Sequence, residues 1–261
     1  MSVDATSARR GSMVASRIVA GLFGALALIS SVVYLVEPMT VEAERQHAFH
    51  VLASFAGGGL LVGLPLIALA IRPDQVVPLR VAWAATLGSV VAGFIGGDFV
   101  SGYYYALPLV MIVLTALSSA RRALLEAGGL NVGMLAVAAI AVIPAVPYAV
   151  DNGSIMRECD IARDVVGHCS MHHWTAVASS ALGLVLVATV IAFRRRGDRI
   201  WVWMTGLAAV LFGLASVVYS DPDRYPSSVG AARGGLVILA GLAYVFAAEV
   251  VAVRRRPSFP R

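Results

Sequence analysis

The chain has 261 residues, of which 59% are hydrophobic and only 13% are charged. Soluble domains typically carry about 25% charged residues, so this composition excludes an ordinary soluble fold and predicts an all-α, polytopic membrane bundle. All 20 basic residues are arginine and the net charge is +5. The arginines form short clusters between apolar runs, which argues against a nucleic-acid-binding surface. The absence of lysine also excludes a lysine nucleophile.

Apolar stretches long enough to cross a membrane recur along the chain, since a helix needs about 20 residues to span the hydrocarbon layer. We predict eight spans, at about 18–36, 49–71, 81–98, 103–120, 130–150, 173–193, 200–220 and 229–253. Residues 18–253 then form one transmembrane domain between cytoplasmic tails at 1–17 and 254–261. We expect the first span to be retained, because it is longer than the apolar core of a signal peptide.

The arginines also predict the orientation of the bundle. With eight spans and the N-terminus inside, fifteen of the 20 arginines lie on the cytoplasmic side, where positive charge accumulates. The use of arginine alone is typical of a GC-rich prokaryotic genome. We therefore expect a multi-pass protein of a prokaryotic plasma membrane, with both termini in the cytoplasm. Its expected partners are the lipid bilayer and a further membrane protein, and not nucleic acid.

Two spans resemble each other. Residues 50–72 and 173–195 align without a gap, which matches His50 with His173 and Arg72 with Arg195. This alignment suggests a 4+4 internal repeat with both halves in the same orientation, as in some transporter folds.

Glycines at a spacing of four occur in the second and third spans, as Gly59 with Gly63 and Gly93 with Gly97. Small residues at this spacing allow helix backbones to approach closely. The pattern therefore favours close helix packing at all four positions.

Every histidine lies at the predicted outer end of the second or sixth span. The five are His47, His50, His168, His172 and His173. Two imidazoles on one helix face form half of a metal or haem site, and a second pair from a packed helix would complete it. His47, His50, His172 and His173 are the candidate cofactor ligands, and His168, His172 and His173 are the candidate metal ligands. The alternative is that these histidines are simply interfacial.

Two acidic residues are candidate catalytic groups. Asp98 directly follows the uncharged stretch of the third span, so it lies at headgroup depth, where a carboxylate is costly unless it is paired. Glu37 follows the first span. The other outer acids fit ordinary solvated loops.

Both cysteines, Cys159 and Cys169, lie in the largest predicted outer loop. An oxidising compartment and a spacing of ten favour a structural disulfide. Copper ligation by the cysteines, histidines and methionines of this loop is the alternative.

In outline, the chain resembles the haem A synthase family. The likeness lies in the eight spans, the histidines at the outer ends of spans two and six, an outer cysteine pair, and the ExxH spacing of Glu44-Arg45-Gln46-His47. The chain departs from that family because spans four and eight lack histidine and the cysteines lie in the third outer loop instead of the first. The resemblance implies one haem held between spans two and six by axial imidazoles.

Three classes of function fit the sequence. The first is a protein with an outward metal or haem site, holding haem, copper or zinc. The second is a membrane enzyme that acts on a lipid or isoprenoid, with Asp98, Glu37 or a histidine as general acid or base. The third is a non-catalytic transport, sensor or assembly component.

Overall fold

The computed structural model describes residues 2–40, 47–98, 102–126, 128–160, 169, 172–194, 198–221 and 223–254. Within these ranges, the side chains of 2–10, 34, 37–40, 102–105, 194 and 252–254 are not described. Eight long helices make up the described chain: α1 Ser2–Thr40, α2 Ala48–Ile71, α3 Val76–Gly96, α4 Gly102–Leu117, α5 Val132–Glu158, α6 His173–Ala192, α7 Arg199–Val218 and α8 Gly230–Arg254. The predicted all-α membrane bundle is confirmed.

Seven of these helices are long and apolar enough to cross a membrane. The exception is α4, which has 16 residues and ends at Leu117. At about 1.5 Å per residue it is shorter than a hydrocarbon layer of about 30 Å. A short 3₁₀ turn at Ser119–Ala123 follows it, in place of the regular helix that we predicted up to residue 120.

Two helices extend beyond their predicted spans. Helix α1 begins at Ser2, so most of the predicted tail 1–17 is helical. Helix α5 continues to Glu158, past the predicted end at residue 150. Contacts with α3 explain this second extension, because Gly153 packs against Ile95 and Gly96 and the Arg157 guanidinium donates to the Phe94 carbonyl at 3.0 Å.

Helix α2 contains a π-helical segment from Phe55 to Gly63. Pro65 lies two residues beyond its end and has no N–H to donate to a preceding carbonyl. Wider turns of this kind are rare and occur where an α-helical hydrogen-bond ladder is interrupted. The segment lies between the outer end of α2 and the middle of the bundle.

The centre of the bundle is the crossing of α3 with α6. Gly88 of α3 lies directly against the Gly183 backbone of α6, so close that a Cβ atom on Gly88 would lie 2.5 Å from the Gly183 Cα atom. At the opposite end from the histidines, Gly129 and Leu130 pair with Arg194 and Phe193 in a two-residue antiparallel ladder. This pairing joins the connection before α5 to the connection after α6, and the predicted topology places both connections on the cytoplasmic side. The 4+4 repeat and the direction of insertion stay predictions.

Candidate functional site

Asp98 is positioned by the C-terminal cap of α3. Gly97 has a φ of 64°, which glycine adopts without strain, and the Asp98 N–H donates to the Gly93 carbonyl at 3.0 Å. With the 3.3 Å bond from the Gly97 N–H to the Phe94 carbonyl, these contacts form a Schellman cap. The cap directs the Asp98 carboxyl group into the protein, where its side chain is only 1% exposed.

His172 is the N-cap residue of α6 and has a left-handed backbone, with φ 56° and ψ 30°. It is the one non-glycine residue with positive φ in the described chain. Its N–H donates to the Cys169 carbonyl at 3.0 Å, and its own carbonyl accepts from the Ala176 N–H at 3.0 Å. A left-handed histidine is uncommon and is maintained only where its surroundings fix it.

Asp98 and His172 meet at the predicted outer end of α3 and α6. The His172 Nδ1 atom lies 2.9 Å from the Asp98 Oδ2 atom. This distance suits a hydrogen bond, but the two atoms are not aligned for one. The Nδ1 atom is itself buried, while the His172 side chain as a whole is 26% exposed. The imidazole of His172 is thus the group that lies against the buried Asp98 carboxyl group.

Three further imidazoles are packed together beside this pair. The His47 and His173 ring centroids are 4.7 Å apart, and the His50 and His173 rings stack at 5.0 Å. All three side chains are buried, and His50 is also in contact with the Trp174 ring at 5.5 Å. The fold thus brings the outer end of α2 and the first turn of α6 together, and with them the two histidines that the internal alignment matches.

The described imidazoles do not form a complete metal site. The His50 and His173 rings stack with their centroids 5.0 Å apart. The nitrogen lone pairs of an imidazole lie in the plane of its ring, so two stacked rings do not both point at one metal ion. The described side chains include no group of three or more His, Cys, Asp or Glu that is arranged to hold a metal ion. The haem and metal roles of these histidines stay predictions.

The remaining predicted site residues are the two cysteines, His168 and Glu37. Cys159 and Cys169 are joined in the disulfide that their spacing predicts. His168 lies outside the described residues, and only the backbone of Glu37 is described, at the end of α1. The metal role of His168 and the catalytic role of Glu37 therefore stay predictions.

A small polar cavity lies about two turns deeper in the bundle than the histidines. Its volume is about 10 Å³, and its lining is mostly glycine and serine from α2, α3 and α6: Gly57, Gly58, Leu61, Val62, Ala85, Ser89, Ser179 and Gly183. The Ser89 and Ser179 hydroxyl oxygens are 2.6 Å apart across α3 and α6. A cavity of this size has room for about one water molecule and is too small for a lipid chain.

Sequence reasoning did not predict the contact between Ser89 and Ser179 or the contact between Trp174 and His50. Ser89 and Ser179 each lie within an otherwise apolar span, and a polar residue in a span is a signal for an interhelical contact. Trp174 directly follows a histidine at a helix start, but its contact with His50 on another helix had no local signal.

Together, the fold and these contacts define an integral, multi-pass membrane protein with a histidine and carboxylate site at one end of its helices. Comparison of the chain with protein-family models, with curated proteins and with solved structures found no match. Its function is therefore argued from the site alone.

Proposed function

We propose that this protein is an enzyme of a prokaryotic plasma membrane that uses Asp98 and His172 as a proton-transfer pair on an amphiphilic substrate. The observation that supports the proposal is the 2.9 Å contact between a fully buried carboxylate and the buried nitrogen of a partly exposed imidazole. Lipids and isoprenoids are the proposed substrate class.

The chemistry follows from which ring nitrogen faces the carboxylate. A carboxylate at Nδ1 favours the tautomer with hydrogen on Nδ1, which leaves the Nε2 lone pair on the other side of the ring to accept a proton. The same carboxylate stabilises the imidazolium ion formed by that step. Contacts of this kind are often poorly aligned before substrate binds and tighten in the complex.

The place of the pair in the bundle supports an amphiphilic substrate. Asp98 follows the last turn of α3 and His172 precedes the first turn of α6. Both therefore lie where the apolar part of each helix ends, which is the depth of lipid headgroups. The substrate would therefore be anchored in the outer leaflet, with its headgroup as the part that reacts.

A substrate screen with a His172 variant tests this proposal. Purified protein in liposomes is incubated with a bacterial total lipid extract and with polyisoprenyl phosphates, and the products are followed by mass spectrometry. We expect the wild type to convert one of these lipids, and His172→Asn to be slower by about 10²–10⁴-fold, the usual contribution of general acid–base catalysis. Asparagine is chosen because it tolerates the left-handed backbone at this position.

Asp151→Asn is the matched control, because Asp151 is an exposed carboxylate at the same end of the bundle. Its rate should equal that of the wild type. Conversion by His172→Asn at the wild-type rate, or no conversion of any of these lipids by the wild type, would contradict the proposal.

A further inference from the structure

The disulfide and the catalytic pair are connected through the backbone of one turn. Cys159 directly follows α5, and its sulfur is bonded to that of Cys169. The Cys169 carbonyl accepts the 3.0 Å hydrogen bond from the His172 N–H. The disulfide therefore holds Cys169, the hydrogen-bond partner of His172, against the end of α5.

The end of α5 is itself fixed to the end of α3. The Arg157 guanidinium donates to the Phe94 carbonyl at 3.0 Å, and Gly153 packs on Ile95 and Gly96. Since Asp98 immediately follows α3, the chain from Asp98 through α5 and the disulfide to His172 forms a closed set of contacts. The contact between His172 and Asp98 completes this set, and His172 has a left-handed backbone.

We propose that the Cys159–Cys169 disulfide positions His172, so that the imidazole meets Asp98 only in the oxidised protein. This inference rests on the proposed function, for which it supplies a positioning element. Without the disulfide, the turn that contains the Cys169 carbonyl loses its anchor, and His172 can relax to an ordinary backbone conformation that takes Nδ1 away from the carboxylate.

The redox chemistry involved is ordinary thiol–disulfide exchange. A dithiol reductant gives two electrons and two protons to the Cys159–Cys169 bond and is itself converted to a disulfide, while the protein gains two thiols. Formation of the bond is the reverse exchange, with a protein disulfide as oxidant. On the extracytoplasmic side the oxidised form is the stable one.

The tautomer of His172 reports directly on this positioning. With ¹⁵N-labelled histidine, and with His172→Asn to assign the signal, we expect the wild type to show His172 with its hydrogen on Nδ1. In the Cys159→Ser, Cys169→Ser double variant, and in wild type treated with dithiothreitol, we expect a mixture of both tautomers. Turnover should fall by more than about 10-fold, since small misplacements of a catalytic group are costly.

Glu158→Gln is the matched control, because Glu158 is exposed and adjoins Cys159 without taking part in the disulfide. It should keep the wild-type tautomer. A double variant that is folded and retains the Nδ1 tautomer overturns the positioning role. A tautomer change without any enzyme activity in the wild type would support the positioning role and contradict the proposed function, so the two failures are distinguishable.

Discussion

Replacing Gly88 with alanine is expected to destabilise the bundle by about 1–3 kcal/mol. The added methyl carbon would lie 2.5 Å from the Gly183 Cα atom, well inside van der Waals contact. A side chain could rotate out of the way, but the backbone of a packed helix cannot, so α3 and α6 have to separate. Because Asp98 and His172 lie at the ends of these two helices, the same change should separate the proposed catalytic pair. Thermal unfolding in detergent micelles measures the first effect.

Gly235→Ala provides the matched comparison on α8, where an added Cβ would meet nothing within 4 Å. Alanine is preferred to glycine inside a helix by about 1 kcal/mol, so this variant should be as stable as the wild type or more so. Equal melting temperatures for Gly88→Ala and Gly235→Ala would mean that the α3–α6 crossing is not tightly packed.

Asp98→Asn is expected to keep the fold and to lower turnover by about 10²–10⁴-fold. The amide has the shape of the carboxylate but carries no charge, so it neither stabilises an imidazolium ion nor favours hydrogen on Nδ1 of His172. An amide N–H directed at Nδ1 would favour the opposite tautomer. The rate on the lipid identified by the substrate screen and the ¹⁵N spectrum of His172 measure the two effects.

Asp151→Asn again controls for the loss of one negative charge at this end of the protein. The melting temperature of Asp98→Asn should stay close to that of the wild type, because a neutral amide is easier to bury than a carboxylate. If Asp98→Asn converted the lipid at the wild-type rate with an unchanged His172 tautomer, the carboxylate would have no part in the chemistry.

The lipid solvent and the helical architecture could be predicted from the sequence. Long apolar stretches need helices to satisfy their backbone groups in lipid, whatever they pack against, so the number of helices and their class followed from composition and spacing. The disulfide was predictable for a similar reason, since ten residues between two outer cysteines is a local property. Glu37 and His168 stay at the level of sequence predictions.

Glycine shows where sequence pattern was insufficient. Gly97 has the spacing of a packing residue, but its left-handed φ makes it the cap that directs Asp98 inward. Gly88, which belongs to no such pair in our prediction, makes the close contact at the centre of the bundle. The spacing of glycines along one helix shows where a second helix could approach, but it does not show which helix packs there.

The sequence by itself determined that this protein is a membrane bundle of about eight helices, and it predicted that the histidines lie at one end, because hydropathy and charge act residue by residue. Only the tertiary structure decided that Asp98 faces His172 and that His47, His50 and His173 share one cluster. These groups come from helices far apart in sequence, and their meeting depends on how the helix surfaces pack. In lipid that packing is selected by shape and polar contacts, which a single sequence does not reveal.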